Sequence, residues 1–263
     1  MGKVSLGNAY FMVKKYAKAR KLYEEAISIS DSCYVAYLDV GNCYLSSGDP
    51  VKALKYYKKA YDINPFDYKI SFYQGRAYMM MKKNNEALEK YVEALTLMPR
   101  NEKVLNELSK LTKVMGLKLA DNSFHPQALA IRKDDGVHIY LSDDPGKMAV
   151  WFPYAGVKAL WLGENYYGDS LAIDKKGKYN WSVQEEREAL FALIGNYLSL
   201  KKDNNVEQNE YLDRLAAIVK SDYIDGFILY EILSHLNSDV VLLMPQTVRD
   251  EVRSYINKYV IVR

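Results

Sequence analysis

Side chains that could perform nucleophilic or metal chemistry are few in this sequence. The three histidines, His125, His138 and His235, lie far apart, and none has a metal-ligand spacing such as His-x3-His. The two cysteines, Cys33 and Cys43, are too few for a disulfide framework and wrongly spaced for a zinc site, which predicts buried, reduced thiols. The sequence also lacks a glycine-rich phosphate loop and a Gly-x-Ser-x-Gly motif. We therefore predict no metal, no cofactor and no enzymatic activity.

Glycine, tyrosine and alanine residues instead recur at a constant interval near the start of the chain. Gly7, Gly41 and Gly75 are 34 residues apart. The same interval separates the members of four further columns: Tyr10, Tyr44 and Tyr78; Ala19, Ala53 and Ala87; Tyr23, Tyr57 and Tyr91; Ala26, Ala60 and Ala94. Five columns in register across three units indicate one supersecondary unit repeated three times.

The second unit contains the most complete pattern, made of Tyr37, Gly41, Tyr44, Ala53, Tyr57, Ala60 and Pro65. These residues and their period resemble the tetratricopeptide repeat, over about residues 1–115. The resemblance implies a mainly α fold, in which antiparallel helices A and B pair and the pairs stack into a superhelix. The small Gly41 and Ala53 would lie where helix A meets helix B, with the tyrosine rings filling the space beside them.

The resemblance also implies boundaries. The repeats would cover 1–33, 34–67 and 68–100, and a further helix at 101–115, ending at Gly116, resembles the capping helix of such arrays. After Gly116 the period disappears, which predicts a linker at 116–126 and a small, helix-rich α+β domain at 127–263. We recognise no family for this second part.

In tetratricopeptide arrays helix A lines the inner, concave face, and peptides bind there. One stripe of each helix A carries a polar row, Asn8, Asn42 and Arg76, among apolar residues. Asn side chains can bond both the donors and the acceptors of an extended peptide, and methionine and aromatic side chains adapt to varied partners. The predicted partner-binding residues are Asn8, Phe11, Leu38, Asn42, Leu45, Phe72, Arg76 and Met79. An alternative is that neighbouring helices or the second domain cover some of them.

One subclass of these repeats holds the C-terminal carboxylate of chaperones with Lys, Asn, Asn, Lys and Arg. The corresponding columns here contain Val4, Asn8, Asp39, Lys69 and Tyr73, so that only Asn8 and Lys69 match. Asp39 would repel a carboxylate. We therefore expect a protein or peptide partner that binds through apolar side chains, and not a chaperone tail.

Charge is distributed unevenly along the chain. Residues 1–115 contain 19 Lys and Arg against 12 Asp and Glu, a net +7, which leaves −4 for the rest of a chain whose net charge is +3. The basic density is below that of a dedicated nucleic-acid binder. No apolar run reaches the roughly 20 residues of a membrane span, and the first residues lack the layout of a signal peptide. The expected protein is cytoplasmic, with no nucleic-acid or membrane partner.

The second part mixes strand and helix patterns. Gln127–Arg132 and Val137–Leu141 predict a hairpin with an Asp-Gly turn, followed by a short run at Met148–Phe152 and a helix with Pro153 in its first turn. Ser182 and Glu185 form a capping box that opens a helix to about residue 200. Helices at about 207–220, 222–236 and 245–258 follow, with an apolar run at 240–244 and a strand at 259–262.

Two features of the second part allow more than one interpretation. Glu185, Glu186 and Glu188 suit the dipole of the helix whose first turn they occupy. The aromatic residues Trp151, Tyr154, Trp161 and Trp181, with the loop at 163–181 between them, predict a domain core or a stacking pocket for a small ligand. As alternatives to a scaffold function of the repeats alone, the second part would be a ligand-binding or enzymatic domain that the repeats deliver to a target, or, given its acidic charge, a lid on the groove.

Overall fold

The computed structural model describes residues 2–163, 182–234 and 245–263. Among them, 2–120 and 256–263 form one compact unit, and 121–163, 182–234 and 245–255 form a second. The predicted aromatic loop from 164 onwards, including Trp181, lies outside the described residues, as do His235 and the apolar run at 240–244. None of the helices that the structure describes is long and apolar enough to cross a membrane.

The first unit contains three helical hairpins followed by a single helix, which confirms the predicted repeat array and its capping helix. The helices are α1 (Gly2–Met12), α2 (Tyr16–Ile29), α3 (Tyr34–Ser46), α4 (Pro50–Ile63), α5 (Tyr68–Met80), α6 (Asn84–Leu97) and α7 (Glu102–Met115). Every hairpin turn contains one residue with positive φ, at Lys14, Gly48 and Lys82, which are again 34 residues apart. The backbone therefore repeats with the same period as the side chains.

The columns of small and aromatic residues explain how closely the paired helices approach. Ala19, Ala53 and Ala87 are completely buried. A Cβ atom added at Gly41 would lie 2.3 Å from the Tyr57 ring, because helix A and helix B meet at this point. Helix α7 follows the third hairpin. Asn101 caps its start, because the Asn101 side chain accepts from the Val104 N–H, and Gly116 caps its end in the left-handed conformation with φ 70°.

The end of the chain packs with the first unit. Strand β1 (Lys118–Leu119) pairs antiparallel with β4 (Ile261–Val262), and the Ala120 N–H donates to the Val260 carbonyl at 2.8 Å. The predicted second domain, 127–263, included these last residues, whereas the structure groups 256–263 with the repeats. The reason is this pairing, which joins segments that are far apart in sequence.

The second unit begins with a hairpin and continues with helices, which confirms a helix-rich α+β part. Strands β2 (Ala128–Lys133) and β3 (Gly136–Leu141) pair antiparallel, with Ala128 opposite Leu141 and Lys133 opposite Gly136. The helices are α8 (Pro145–Gly163), α9 (Val183–Lys202), α10 (Glu210–Val219), α11 (Ile224–Phe227), which continues as π-helical turns over Ile228–Leu233, and α12 (Gln246–Tyr255). Helix α8 packs against α9 and the hairpin.

The predicted helix start at Pro153 was wrong, and the run at Met148–Phe152 belongs to the same helix. Helix α8 already begins at Pro145, because the Asp144 carboxylate accepts from the N–H groups of Gly146 and Lys147 at 2.9 and 3.1 Å. Pro153 lies inside this helix. A short apolar run looks the same in a strand and in a buried helix, so the pattern at Met148–Phe152 did not indicate that the helix had already begun.

Candidate functional site

The groove face is the side of α1, α3 and α5 that carries Asn8, Asn42 and Arg76. Asn8 and Arg76 are exposed, and Asn42 is half-buried. Among the predicted apolar contacts, Phe11, Phe72 and Met79 are half-buried, so part of each side chain remains accessible.

Leu38 and Leu45 differ from the prediction. They are only 5% and 6% exposed and pack in a core cluster with Ala53, Tyr57 and Ile70. Their side chains fill the space between successive helices, as the continuous contacts of a stacked array require. These two leucines therefore form the support of the groove face and offer little surface to a partner.

A tyrosine of helix B bonds to the polar row within two of the repeats. The Tyr23 hydroxyl donates to the Asn8 side-chain oxygen at 2.7 Å, and the Tyr57 hydroxyl donates to the Asn42 side-chain oxygen at 2.9 Å. Tyrosine and asparagine are 15 residues apart in both repeats. The side-chain oxygens of these asparagines are thus engaged by tyrosines of the array.

The third repeat replaces the asparagine with Arg76, which cannot accept a hydrogen bond. The Tyr91 hydroxyl, which occupies the tyrosine column of this repeat, donates to the Met79 sulfur at 3.1 Å instead. Arg76 lies over the ring of Tyr73, with its guanidinium carbon 5.9 Å from the ring centroid.

The ring of Tyr73 belongs to a group of aromatic side chains, of which Tyr57 and Tyr91 are completely buried. It stacks on Tyr57 at 6.1 Å and meets Phe72 edge to face at 5.1 Å. Phe72 also contacts the ring of Tyr91 at 6.1 Å. This part of the groove face therefore combines aromatic surface with a cation that is held in place.

Asp39 is a functional candidate that the sequence analysis used only to exclude a carboxylate ligand. Its carboxylate accepts from the Asn42 side-chain N–H at 3.3 Å. Burial raises the pKa of Asp39 to about 6, while the hydrogen bond from Asn42 and the charge of Lys69 oppose that rise. A half-buried acid among tyrosines was visible in the sequence only as a departure from the chaperone-binding pattern.

The tyrosine bonds give a first test of this geometry. We expect Tyr57→Phe to lower the free energy of unfolding of the array by about 1 kcal/mol, because a buried hydrogen bond to an amide oxygen is lost. Tyr91→Phe is the matched control: Tyr91 is equally buried, but its hydroxyl meets a sulfur, a weak acceptor, so we expect a smaller loss. Urea unfolding followed by far-ultraviolet circular dichroism measures both, and equal losses would contradict the assignment.

Known proteins resemble the first unit. A family model for the tetratricopeptide repeat matches residues 3–65, which include the first two hairpins. Residues 3–65 are therefore assigned to the tetratricopeptide repeat, and the third hairpin continues their 34-residue period. No curated protein sequence matches the chain.

Solved structures similar to the array are also tetratricopeptide domains. The first such domain of Spaghetti (RPAP3), bound to an HSP90 peptide, is 24% identical, covers 43% of this chain and 90% of its own, and has a TM-score of 0.42. The Sgt2 domain from Aspergillus fumigatus is 24% identical, with 44% and 78% covered and a TM-score of 0.42. The Arabidopsis OM64 domain is 25% identical, with 42% and 92% covered and a TM-score of 0.41.

The three predicted aromatic residues of the second unit that the structure describes are buried. Trp151, Tyr154 and Trp161 are 3–4% exposed, and Phe124 lies 6.0 Å from Trp151 and 5.7 Å from Tyr154 between ring centroids. The predicted stacking pocket between these rings was therefore wrong for the three that the structure describes. Trp151 does border a cleft of about 410 Å³, whose polar lining includes Gln127, Asp144, Lys147, Glu207 and Asn209.

A buried ionic cluster was missed by the sequence analysis. The Lys158 ammonium of α8 contacts carboxylate oxygens of both Glu185 and Glu186 at the start of α9. The Tyr154 hydroxyl donates to the second oxygen of Glu186 at 2.9 Å. Burial raises the pKa of Glu186, and the charge of Lys158 opposes the rise. Glu185 and Glu186 thus form a buried ion-paired group, so that the helix dipole alone does not explain them.

The two cysteines considered at the outset both lie in the repeat array. Burial raises the pKa of the Cys43 thiol to about 12, which keeps it protonated and a poor nucleophile. Cys33 is half-buried, and neither cysteine forms a disulfide. The residues that the structure describes contain no group of three or more side chains able to hold a metal ion.

Proposed function

We propose that the repeat array is a protein-interaction scaffold that binds an apolar peptide or helix on the groove face. The observation that carries the proposal is the combination of half-buried Phe11, Phe72 and Met79 with exposed polar residues on one side of successive A helices. Apolar side chains that are partly accessible gain free energy when a partner covers them, at roughly 25 cal/mol per Å². Polar neighbours fix the orientation of the partner backbone.

The third repeat provides the strongest anchors in this proposal. Phe72 is held between Tyr73 and Tyr91, so it loses little side-chain freedom when a partner binds. Arg76 is positioned over Tyr73 and presents several N–H donors to a partner carbonyl. Aromatic and arginine side chains with fixed positions usually contribute most of the binding free energy at such interfaces.

The test begins with the full chain as bait, followed by mass spectrometry of the captured proteins and titration calorimetry with the segment identified. We expect Phe72→Ala and Arg76→Ala each to weaken binding by about 1–3 kcal/mol, because each removes a preformed anchor. Met79→Ala should have a smaller effect, since a flexible side chain gives up more freedom on binding.

Exposed residues of the array away from the groove face serve as controls. Phe66 lies between α4 and α5 and Lys55 lies on α4, and both are exposed. Phe66→Ala and Lys55→Ala should leave the affinity unchanged, and circular dichroism should show all variants folded. A double variant, Phe72→Ala with Arg76→Ala, that binds as tightly as these controls would place the binding site elsewhere.

A further inference from the structure

Asp39 has an unusual position among the charged residues of the groove face. It belongs to α3, and Lys69 and Tyr73 belong to the neighbouring α5. Within the described part of the chain, its carboxylate has one hydrogen bond, the 3.3 Å contact from Asn42, and no cation within 4 Å. A carboxylate has about four sites that can accept hydrogen bonds. Most of the accepting capacity of Asp39 is therefore available to a partner.

The rings near Asp39 also favour a positive charge. Tyr73, which stacks on the completely buried Tyr57, is itself half-buried, and the negative face of an accessible aromatic ring attracts cations. The chain already uses this attraction once, because the Arg76 guanidinium lies over Tyr73. An incoming ammonium or guanidinium group would thus meet a carboxylate and aromatic surface together.

Two cations on the same face would repel a basic group of the partner, and their effect has to be compared with the attraction of Asp39. Lys69 and Arg76 are both exposed, so water and salt screen their charges over a short distance. Asp39 is half-buried, and this burial, which also raises its pKa, leaves its charge less solvated than the charges of the two exposed residues. A poorly solvated charge interacts more strongly with a partner charge than a solvated one does. The attraction of Asp39 for a cation therefore outweighs the repulsion from the two exposed residues.

We propose that the groove face selects a peptide segment in which one Lys or Arg is flanked by apolar residues, with the basic side chain on Asp39 and the apolar side chains on Phe72 and Met79. This inference rests on the proposed function and specifies the class of its partner. It also predicts discrimination against acidic segments, because a carboxylate placed here would meet Asp39.

The experiment uses the immobilised full chain and a displayed library of random short peptides. Three proteins are compared: the natural sequence, Asp39→Asn, and the matched control Asp62→Asn, which changes an exposed aspartate of α4. With the natural sequence and Asp62→Asn, we expect enrichment of peptides that contain one Lys or Arg between apolar residues. With Asp39→Asn, the apolar preference should remain and the basic preference should disappear.

One selected peptide then serves as the probe in fluorescence anisotropy. Replacing its basic residue with Gln should weaken binding to the natural sequence about tenfold, since a partly buried charge pair is lost. The same replacement should leave binding to Asp39→Asn nearly unchanged, because the partner charge is already absent. Together the two measurements show whether the basic residue of the peptide pairs with Asp39 or with another acidic residue of the protein.

The outcomes distinguish this inference from the proposed function. Enrichment of acidic peptides, or of apolar peptides without a basic residue, overturns the inference and leaves the groove face as the binding site. Selected peptides that bind the Phe72→Ala and Arg76→Ala double variant undiminished, or a library that yields no enriched peptide, overturn both.

Discussion

Replacing Lys158 with methionine is expected to lower the free energy of unfolding of the second unit by about 3–5 kcal/mol, the cost of leaving buried charges without a counter-ion. Lys158 is 3% exposed, and the two glutamates that it contacts are completely buried. Methionine preserves most of the side-chain volume, so most of the expected change in stability comes from the loss of the charge. Trp151 and Trp161 belong to this unit, and the remaining tryptophan, Trp181, lies outside the repeats in sequence, so urea unfolding followed by tryptophan fluorescence does not report on the repeat array.

Two further variants make the Lys158 experiment decisive. Lys147→Met changes an exposed lysine of the same helix and should alter stability by less than about 0.5 kcal/mol. Lys158→Met combined with Glu185→Gln and Glu186→Gln should recover much of the loss, because the uncompensated charges are removed with the cation. If Lys158→Met unfolds at the same urea concentration as Lys147→Met, the ionic cluster does not stabilise the fold.

The effect of pH on Lys158→Met follows from the direction of the pKa shift at Glu186. Burial raises the pKa of this carboxyl in the folded state, so the folded state binds a proton more readily than the unfolded state does. Stability from this group is therefore present at low pH and is lost as the pH rises through the folded pKa. Without Lys158 the pKa of Glu186 rises further. We therefore expect the loss of stability in Lys158→Met to become smaller as the pH is lowered from neutral.

The repeat array was predictable because its signal is local and periodic. Gly41 and Tyr57 recur 34 residues away on both sides, and each hairpin needs contacts only with its neighbours. The hydrogen bonds from Tyr23 and Tyr57 to the asparagine row were not predicted, although the constant spacing of 15 residues would have indicated them. Leu38 was assigned to the groove because residues at helical spacing identify one face of helix A. The burial of that face depends on how far the next hairpin covers it, which the spacing does not show.

Contacts between distant segments were not predictable from any local pattern. The pairing of β1 with β4 joins Lys118 to Val262, and nothing in either short segment identifies its partner. Lys158 has the same difficulty, because a lysine that pairs with glutamates of another helix looks in sequence like a solvated lysine. Such contacts require the fold, since their free energy comes from burial that only the assembled helices provide.

The second large effect is expected for Gly41→Ala, and the informative result is whether this change raises or lowers the free energy of unfolding. In an exposed helix, replacing glycine with alanine stabilises by about 1 kcal/mol. At Gly41 the added Cβ atom would lie 2.3 Å from the Cε1 atom of Tyr57, a ring that is completely buried and held by its hydrogen bond to Asn42. The helices would have to separate, so we expect a net loss of about 1–3 kcal/mol.

The comparison for Gly41→Ala is Gly195→Ala, in the exposed part of α9, where an added Cβ atom meets nothing within 4 Å. Far-ultraviolet circular dichroism should show earlier unfolding for Gly41→Ala and later unfolding for Gly195→Ala, and the tryptophan signal should change only for the latter. Combining Gly41→Ala with Tyr57→Leu should cost less than the sum of the two single changes, because the smaller side chain relieves the overlap. Strict additivity would mean that the close approach of α3 and α4 does not depend on this pair.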